Sequence, residues 1–358
     1  MKIGIVGGGI NGLCCAWTLA QQGHDVTLFE RDDLMLRTSR SSSKLLHGGL
    51  RYLENFEFRL VREALRERDG WLARMPDLAK PLRLVVPIYG NSRRGRWIVG
   101  AGLLLYRLLA PRSRYGDFLW LSAEDLSRRD PGLDTAGLRG GWEFSDGQMD
   151  DYELGLWVAE QVRELGGSIR AHTGVQSVTT EGVVTTADGE VIEFERVVNV
   201  AGPWAERLAK NSGVELPYQL DLVRGSHLVL ARPCPQAYLL EVVGERRVFF
   251  VLPWKEQTLL GTTEVRQSID EPIEPSAEEE RYLLDAYNDY FGESVSSEDV
   301  VERFAGVRPL IKSARNPNRA TREYALHQEG RLLTVLGGKW TTSLALSRQV
   351  AKRLRRRV

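Results

Sequence analysis

The sequence predicts an α/β fold of two interleaved domains, and three observations lead to this expectation. Residues 1–30 show the pattern of a strand, a helix and a second strand. Residues 175–263 contain mostly short β-type runs, and from Leu332 onward the pattern returns to a strand followed by a helix. This order predicts an α/β domain that is interrupted by a sheet domain. A chain of 358 residues is long enough to bury two cores.

Short apolar runs and glycines define the first β-α-β unit. Lys2–Val6 predicts a buried strand, Ile10–Gln22 a helix that ends at Gly23, and Asp25–Glu30 a second strand. The other predicted helices are Glu57–Met75, Trp97–Leu109, Ser122–Arg129, Tyr152–Leu165, Ala277–Phe291 and a last helix that runs to Arg357. The other predicted strands are Leu82–Tyr89, a group within 175–200 with a hairpin turn at Asp188-Gly189, His227–Ala231, Arg247–Leu252, Thr258–Gly261 and Leu332–Leu336.

Composition excludes several classes of protein. Lys plus Arg and Asp plus Glu both total 48, so no net charge attracts a nucleic acid, and none is expected as a partner. The three cysteines, Cys14, Cys15 and Cys234, lack metal-site spacing, so we expect no metal, reduced thiols and a cytoplasmic location. No apolar run reaches the length of about 18 residues that a membrane-spanning helix needs. Four glycines within 4–9 favour a strand and turn over a signal peptide.

The glycine-rich segment after the first strand has the spacing of a dinucleotide fingerprint. Gly7-Gly8-Gly9-Ile10-Asn11-Gly12 fits G-x-G-x-x-G, follows an apolar strand and opens a helix, and Glu30 ends the next strand. Gly7 allows the tight turn, Gly9 lets the backbone approach a pyrophosphate, and Gly12 permits close helix–strand packing. The helix N-terminus favours phosphate, and Glu30 can accept hydrogen bonds from ribose hydroxyls. The motif alone leaves FAD, NAD and a turn without a ligand as alternatives.

A long segment and a series of short motifs resemble one flavoenzyme family. The segment is Thr38-Ser-Arg-Ser-Ser-Ser-Lys-Leu-Leu-His-Gly-Gly-Leu-Arg-Tyr-Leu-Glu54, and it is similar to the signature of FAD-dependent glycerol-3-phosphate dehydrogenases. The shorter motifs are Phe144-Ser-Asp with Asp150-Asp151, Gly202-Pro-Trp204, Gly225-Ser-His227, Phe250-Val-Leu-Pro-Trp254, Gly261-Thr-Thr-Glu264, Gly306-Val-Arg-Pro309 and Gly337-Gly-Lys-Trp-Thr-Thr342. Arg40 and Trp340 depart from the residues that are common in the family. Members usually continue into a helical C-terminal domain, which this chain is expected to lack.

The resemblance implies a fold in more detail. It implies a Rossmann-like FAD-binding domain of the glutathione-reductase and D-amino-acid-oxidase type, interleaved with an antiparallel-sheet substrate (cap) domain. We expect the FAD-binding domain to comprise residues 1–77, 134–215 and 303–358. The cap domain is expected to comprise residues 78–133 and 216–302.

The resemblance also implies an activity. It implies oxidation of sn-glycerol 3-phosphate to dihydroxyacetone phosphate, with hydride passing from C2 to flavin N5 and electrons then passing to quinone or another acceptor. Two alternatives stay open. One is a related flavin oxidase of an amino acid or a 2-hydroxy acid that uses O2, whose carboxylate substrate one Arg could hold. The other is a flavin-binding scaffold without activity.

The candidate substrate residues follow from the chemistry of a phosphorylated alcohol. A phosphate dianion needs fixed cations, and Arg51, Arg308 and Lys339 lie in the matching motifs, with Tyr52 and Thr263 as hydroxyl donors. His227 is the candidate base, because a neutral imidazole can accept the alcohol proton near pH 7. The alternatives are a structural role for His227 and a surface ion pair between Arg51 and Glu54.

The candidate cofactor residues come from the same motifs. Gly337-Gly338-Lys339 precede a helix whose N–H groups can face the flavin carbonyl O2, and His47 either backs the flavin ring or packs beneath it. Ser42, Ser43 and Lys44 either contact FAD or form a solvated loop. The full set of expected FAD contacts is Gly7, Gly9, Ile10, Asn11, Gly12, Glu30, Arg31, Thr38, Ser39, Ser42, Ser43, Lys44, His47, Gly48, Gly49, Val175, Ala201, Gly202, Trp204, Gly337, Gly338, Lys339, Trp340 and Thr341.

One predicted helix has the composition of a membrane-surface helix. Trp97–Leu109 is apolar, and the flanking arginines are Arg93, Arg94, Arg96, Arg107, Arg112 and Arg114. Residues 93–114 are therefore a candidate peripheral contact at the inner face of the cytoplasmic membrane. The alternative is a helix packed on its own sheet.

Overall fold

The computed structural model describes residues 1–313, 316–321 and 324–355, so the predicted end of the last helix at Arg357 lies outside the described residues. The strands are β1 (Lys2–Val6), β2 (Asp25–Phe29), β3 (Leu45–Leu46), β4 (Ala79–Tyr89), β5 (Phe118–Leu121), β6 (Leu138–Met149), β7 (Ser168–Arg170), β8 (Val175–Val178), β9 (Val183–Thr186), β10 (Val191–Glu193), β11 (Arg196–Asn199), β12 (Gln219–Leu230), β13 (Ala237–Glu241), β14 (Val248–Trp254), β15 (Gln257–Gly261), β16 (Val265–Arg266), β17 (Val300–Ser313), β18 (Asn316–Thr321), β19 (Tyr324–Glu329) and β20 (Leu332–Gly337). The helices are α1 (Ile10–Ala20), α2 (Phe58–Arg74), α3 (Arg96–Leu109), α4 (Ala123–Arg129), α5 (Asp151–Glu164), α6 (Ala205–Asn211), α7 (Ala277–Asn288) and α8 (Ser343–Leu354).

The first sheet is the mainly parallel sheet that the opening residues predict, and only its edge strand β19 pairs antiparallel, with β20. Its strand order is β19-β20-β11-β1-β2-β7, and β1 pairs in parallel with both β2 and β11. Helices α1, α5 and α8 pack together, and their buried residues form one core with the strands of the sheet. Gly23 adopts the left-handed conformation (φ +77°) just beyond α1, as expected for a glycine that ends a helix.

The second sheet is larger and mainly antiparallel. Its main strand order is β18-β17-β12-β15-β14-β13-β4-β6-β3, and only the β13–β4 pair on this path is parallel. Helix α7 packs against β12 and β15. A separate small sheet contains β8, β9 and β10, with the predicted turn at Asp188-Gly189 between the last two. The predicted combination of a Rossmann-like domain with an antiparallel-sheet domain is thus confirmed.

Two long strands were not predicted. Strand β6 contains three glycines and charged residues, and it pairs along its length with β4. Strand β17 pairs along its length with β12, which is itself longer than the predicted run His227–Ala231. Both strands belong to the antiparallel sheet, whereas the expected boundaries placed most of them in the FAD-binding domain. The domain division stays a prediction, and a division that follows the sheets would assign β6 and β17 to the cap domain.

Candidate active site

A cavity between the two sheets brings most of the predicted site residues together. Loops that follow the carboxyl ends of β1, β2 and β11 line one part of it, as expected for ligand sites on parallel sheets. Residues of β12 and β17 line the other part. The volume is about 400 Å³, which lies within the range of ordinary ligand sites. The predicted residues in the lining are Gly7, Gly9, Ile10, Asn11, Glu30, Arg31, Thr38, Ser39, Ser42, Ser43, His47, Gly49, Arg51, Tyr52, Val175, Ala201, Gly202, Trp204, His227, Arg308, Gly337, Gly338, Lys339, Trp340 and Thr341.

The nucleotide end of the cavity is held by a carboxylate at the end of β2. Glu30 accepts hydrogen bonds from the N–H of Gly8 at 2.7 Å and from the N–H of Asp32 at 2.9 Å. These bonds fix the carboxylate beside the glycine turn. The Arg31 guanidinium stacks over the Trp204 ring at 4.1 Å, which adds a flat surface to this end of the cavity.

The residues present fit an FAD molecule. A Cβ atom on Gly7 would lie 2.5 Å from the carbonyl oxygen of Val200, and one on Gly9 would lie 2.9 Å from Ser39 Oγ, so only glycine leaves this approach to the backbone free. The side-chain oxygen of Asn11 lines the cavity, is buried and has no hydrogen-bond partner among the described residues. A buried polar atom of this kind is expected to bond to a ligand.

Three predicted cofactor residues do not line the cavity. A Cβ on Gly12 would lie 1.9 Å from the carbonyl oxygen of Gly7, so Gly12 serves close packing of α1 on the turn. Gly48 leaves room for the Tyr106 hydroxyl, from which its Cβ would lie 2.4 Å. Lys44 binds Asp151 at 2.7 Å and the carbonyl oxygen of Arg40 at 2.6 Å, because a buried ammonium needs a partner.

Ser42 and Ser43 line the cavity, and the hydrogen bonds of the Ser42–Lys44 turn give it a structural role beside the predicted FAD contact. The Ser42 hydroxyl donates to Asp151 at 2.6 Å, so Asp151 holds the residues on both sides of Ser43. Ser43 Oγ lies 2.8 Å from Nε2 of His227. The turn thus supports the candidate base, and it is not a solvated loop.

Thr263 is the predicted substrate residue that the structure places outside the cavity. Its side chain is buried, and its hydroxyl is bonded within the sheet to Glu279 and to the N–H of Ser226. The neighbouring Thr262 lines the cavity instead. Because successive residues of an extended chain point to opposite sides, a pair of adjacent threonines can offer only one of them to a given face.

His227 is buried beside the cavity as a neutral imidazole. Its ring stacks on Phe304 with centroids 4.8 Å apart, and a Cβ on Gly261 would lie 2.1 Å from the ring atom Cδ2. Burial, together with the positive charges of Arg308 and Lys44, lowers the pKa of His227 well below its ordinary value. Its Nδ1 has no hydrogen-bond partner among the described residues.

The predicted cations line the same cavity. Arg308 donates to Thr262 Oγ1 at 2.7 Å and to the carbonyl oxygen of Thr263 at 3.3 Å. The Nζ of Lys339 donates to the carbonyl oxygen of His47 at 3.0 Å and lies 5.1 Å from the Tyr52 ring centroid. These contacts position cations next to a shared space, as a phosphate site requires.

The ion-pair alternative for Arg51 involves a different carboxylate from the one that the sequence suggested. Arg51 contacts Glu264 at 3.3 Å, whereas Glu54 pairs with Arg94. Glu264 lines the cavity and was missed as a site residue, although it lies in the quoted motif Gly261-Thr-Thr-Glu264.

Asp146 is a second residue that the sequence reasoning missed. It lines the cavity, accepts hydrogen bonds from Arg68 at 2.9 Å and from the Tyr106 hydroxyl at 2.9 Å, and receives the N–H of Gly48 at 3.3 Å. Burial raises the pKa of Asp146, and the Arg68 cation opposes that rise. The motif Phe144-Ser-Asp was the available signal, but a motif does not show what its carboxylate contacts.

We expect Gly225→Ala to raise KM for a phosphorylated substrate about tenfold or more, while FAD stays bound. A Cβ at this position would lie 2.2 Å from Nη2 of Arg308 and 2.5 Å from Thr262 Oγ1, so the guanidinium must move. Steady-state kinetics with a flavin absorbance check would measure both properties. Gly70→Ala is the control, because no atom lies within 4 Å of its added Cβ in helix α2. An unchanged KM for Gly225→Ala would show that the position of Arg308 does not depend on the absence of a side chain at residue 225.

The fold and the cavity together define a dinucleotide-binding oxidoreductase in which the antiparallel sheet lines one side of the cofactor site. The chain belongs to the FAD dependent oxidoreductase family, whose model matches residues 2–353.

Named relatives agree with this assignment. A glycerol-3-phosphate dehydrogenase of Pseudomonas aeruginosa is 37% identical over 371 residues, which cover 98% of this chain and 71% of that protein. A D-erythritol 1-phosphate dehydrogenase of Brucella abortus is 37% identical over 369 residues, which cover 98% of this chain and 73% of that protein.

A solved structure supports the fold. The glycerol-3-phosphate dehydrogenase of Bacillus halodurans complexed with FAD matches with a TM-score of 0.78 at 23% sequence identity. The match covers 99% of this chain and 64% of that one, so the chain spans less than two thirds of that protein.

Proposed function

We propose that this protein oxidises sn-glycerol 3-phosphate to dihydroxyacetone phosphate with FAD as its cofactor. The observation that carries the proposal is the cavity that a neutral, buried His227 shares with the cations Arg51, Arg308 and Lys339. A phosphorylated alcohol needs both features, because its phosphate must be bound and its hydroxyl proton must be removed.

The residues of the chain divide the work of binding between the two ends of the cavity. The glycine turn, the start of α1 and Glu30 would hold the nucleotide part of FAD, and Gly337, Gly338 and Lys339 would contact its flavin part. Bound FAD supplies the acceptor for the hydride that leaves C2 of the substrate. The cations orient the substrate phosphate, which places the alcohol carbon at a fixed distance from them.

His227 removes the alcohol proton in this proposal. Nε2 lies 2.8 Å from Ser43 Oγ and Nδ1 has no hydrogen-bond partner among the described residues, and the ring nitrogen that carries no proton is the one that accepts the alcohol proton. The lowered pKa of His227 keeps the imidazole unprotonated at neutral pH, which is the state that a general base requires. Its burial and its stacking on Phe304 hold the ring in one orientation, which general base catalysis requires.

Two other substrate classes remain as competing proposals. The relative that is named a D-erythritol 1-phosphate dehydrogenase supports a longer phosphorylated polyol. An amino acid or a 2-hydroxy acid, with O2 as the acceptor, needs a single Arg for its carboxylate, so Arg51 and Lys339 would then serve only their contacts with Glu264 and His47. The number of cations in the cavity therefore favours a phosphate.

Anaerobic mixing of the purified, flavin-bound protein with each substrate class separates these proposals. We expect glycerol 3-phosphate to bleach the flavin absorbance at low concentration and unphosphorylated glycerol to leave it unchanged. Bleaching by erythritol phosphate alone would show that the substrate is the longer phosphorylated polyol and not glycerol 3-phosphate. Bleaching by carboxylate substrates alone would contradict the phosphate site, and bleaching by none of them would favour a scaffold.

We propose that α3 contacts an anionic membrane surface from the cytoplasmic side, where a quinone could accept the electrons. Among the described residues, no helix has the length and apolar character needed to cross a bilayer. One face of α3 is buried through Val99, Leu103 and Tyr106. The opposite face leaves Trp97 81% exposed and Leu108 63% exposed. An apolar face flanked by arginines matches the composition of interfacial helices.

Vesicle flotation tests this contact. We expect the wild type to float with vesicles that contain anionic lipid and Leu104→Glu to float at least several-fold less, because a charge on the apolar face opposes its burial in the interface. Leu104 is 51% exposed. Leu165→Glu is the matched control, since Leu165 is 48% exposed beyond α5 and should not affect flotation. Equal flotation of the wild type and Leu104→Glu would contradict the membrane proposal.

A further inference from the structure

A buried carboxylate lies on the side of the antiparallel sheet away from the candidate phosphate site. Glu279, in the first turn of α7, is only 4% exposed. It completes the capping box of its helix by accepting the N–H of Ser276 at 3.1 Å. A capping box alone does not require burial, because the box between Ser122 and Asp125 at α4 is solvent-exposed.

The Glu279 carboxylate binds side chains from β12 and from the segment between β15 and β16. One oxygen accepts hydrogen bonds from the hydroxyls of Thr263 and Ser226, the latter at 2.8 Å. The other oxygen forms an ion pair with Arg224 at 2.7 Å. Burial acts to raise the pKa of Glu279, but the hydrogen bonds outweigh it and hold that pKa below its ordinary value. The carboxylate is therefore a charged anchor.

The direction of the bond between Thr263 and Glu279 is set by the backbone. The N–H of Ser226 donates to Thr263 Oγ1 at 2.9 Å, so that oxygen already accepts a hydrogen bond. Its single hydroxyl proton is left to donate to Glu279. Loss of the carboxylate would therefore remove the acceptor of the Thr263 hydroxyl proton and leave Thr263 held to β12 only through Ser226.

The same short segment holds Arg308 from its other side. Nη2 of Arg308 donates to Thr262 Oγ1 at 2.7 Å, and Nη1 donates to the carbonyl oxygen of Thr263 at 3.3 Å. One acceptor belongs to Thr263, which Glu279 holds directly, and the other belongs to the adjacent residue Thr262. A guanidinium that must bind a phosphate through two hydrogen bonds tolerates little displacement.

We propose that Glu279 is a positioning residue for Arg308, acting through Thr263 and Thr262 to fix the guanidinium for phosphate binding. The inference rests on the proposed function, in which Arg308 binds the substrate phosphate. It adds a residue on the far side of the sheet that touches neither substrate nor cofactor. Arg224 and Ser226 complete the support.

Binding of inorganic phosphate to the flavin-bound enzyme tests the inference without turnover. We expect Glu279→Gln to weaken the phosphate Kd, read from flavin absorbance changes, about tenfold, and to raise KM for glycerol 3-phosphate by a similar factor. The value of kcat and the FAD content should stay near those of the wild type. Glu278→Gln, one residue earlier on the exposed face of α7, is the matched control and should leave both constants unchanged.

A second pair of variants keeps the test independent of the fold of Glu279→Gln. Thr263→Val removes the hydroxyl and should reproduce the weaker phosphate binding, whereas Thr263→Ser keeps the hydroxyl and should restore it. Combining Thr263→Val with Glu279→Gln should add little, because both act on one contact. Wild-type phosphate affinity in either Glu279→Gln or Thr263→Val would overturn the inference. Phosphate binding by the wild type without flavin reduction by glycerol 3-phosphate would remove the proposed function alone.

Discussion

Replacement of His227 by Gln is expected to lower kcat by about 10²–10⁴-fold, the usual contribution of a general base, while FAD stays bound. Gln fills much of the same volume but cannot accept a proton at neutral pH. Single-turnover reduction of the flavin by glycerol 3-phosphate would measure the effect on the reductive step. His172→Gln is the control, because the side chain of His172 is 70% exposed and does not line the cavity. A reductive rate within about twofold of wild type would show that His227 is structural.

The pH dependence of kcat gives a second check on the same residue. The pKa of His227 is lowered from 6.5, so the fraction of neutral imidazole stays high as pH falls through that value. We therefore expect the acid limb of kcat to lie below pH 6.5. Arg308→Ala removes one of the charges that lower this pKa, so its acid limb should move toward higher pH. An acid limb of the wild type above pH 6.5 would contradict a buried neutral base.

Arg308→Ala is expected to reduce kcat/KM by roughly 10²-fold or more, mainly through KM, with FAD retained. The loss corresponds to about 3 kcal/mol, as for hydrogen bonds to a charged group. Arg308→Lys keeps the charge but not the fork, and it should recover only part of the loss. Arg303→Ala, on the same strand β17 but paired with Glu280 at 2.7 Å on the surface, is the matched control. Loss of flavin from Arg308→Ala would mean that Arg308 serves the cofactor.

The part of the fold that local sequence determines was predictable. The first β-α-β unit depends on an apolar run, three glycines and an acidic strand end, all within thirty residues, and the structure confirms it. The short helix predicted at Ser122–Arg129 is likewise found as α4, where the Ser122 side chain caps the helix by accepting the N–H of Asp125. These features depend on local backbone requirements, and the types of the adjacent residues in the sequence indicate those requirements.

The missed strands depend on distant partners. Strand β6 has glycines where its neighbours crowd it: a Cβ on Gly141 would lie 3.0 Å from Val85. Such a strand lacks the alternation that sequence analysis detects, because its stability comes from pairing with β4. In β12, Arg224 is an internal charge whose partner Glu279 is 55 residues away in the sequence.

The residue types of the site were predictable from the sequence, but the direction in which each side chain points was not. Motifs identified His227, Arg308 and Lys339, and the structure places all three at one cavity. Motifs could not show that Thr263 points away from the cavity or that Lys44 is bound by Asp151, because both depend on which side of the chain a side chain takes. The resemblance supplied the set of residues, and only the folded geometry separates ligand contacts from their supports.

An anaerobic single-turnover experiment tests the central claim most directly. The purified, flavin-bound protein would be mixed with sn-glycerol 3-phosphate, and the reduced flavin and the dihydroxyacetone phosphate formed would both be quantified. The account predicts bleaching of the flavin with one molecule of dihydroxyacetone phosphate for each FAD reduced. Flavin that stays oxidised, or bleaching without this product, would contradict it.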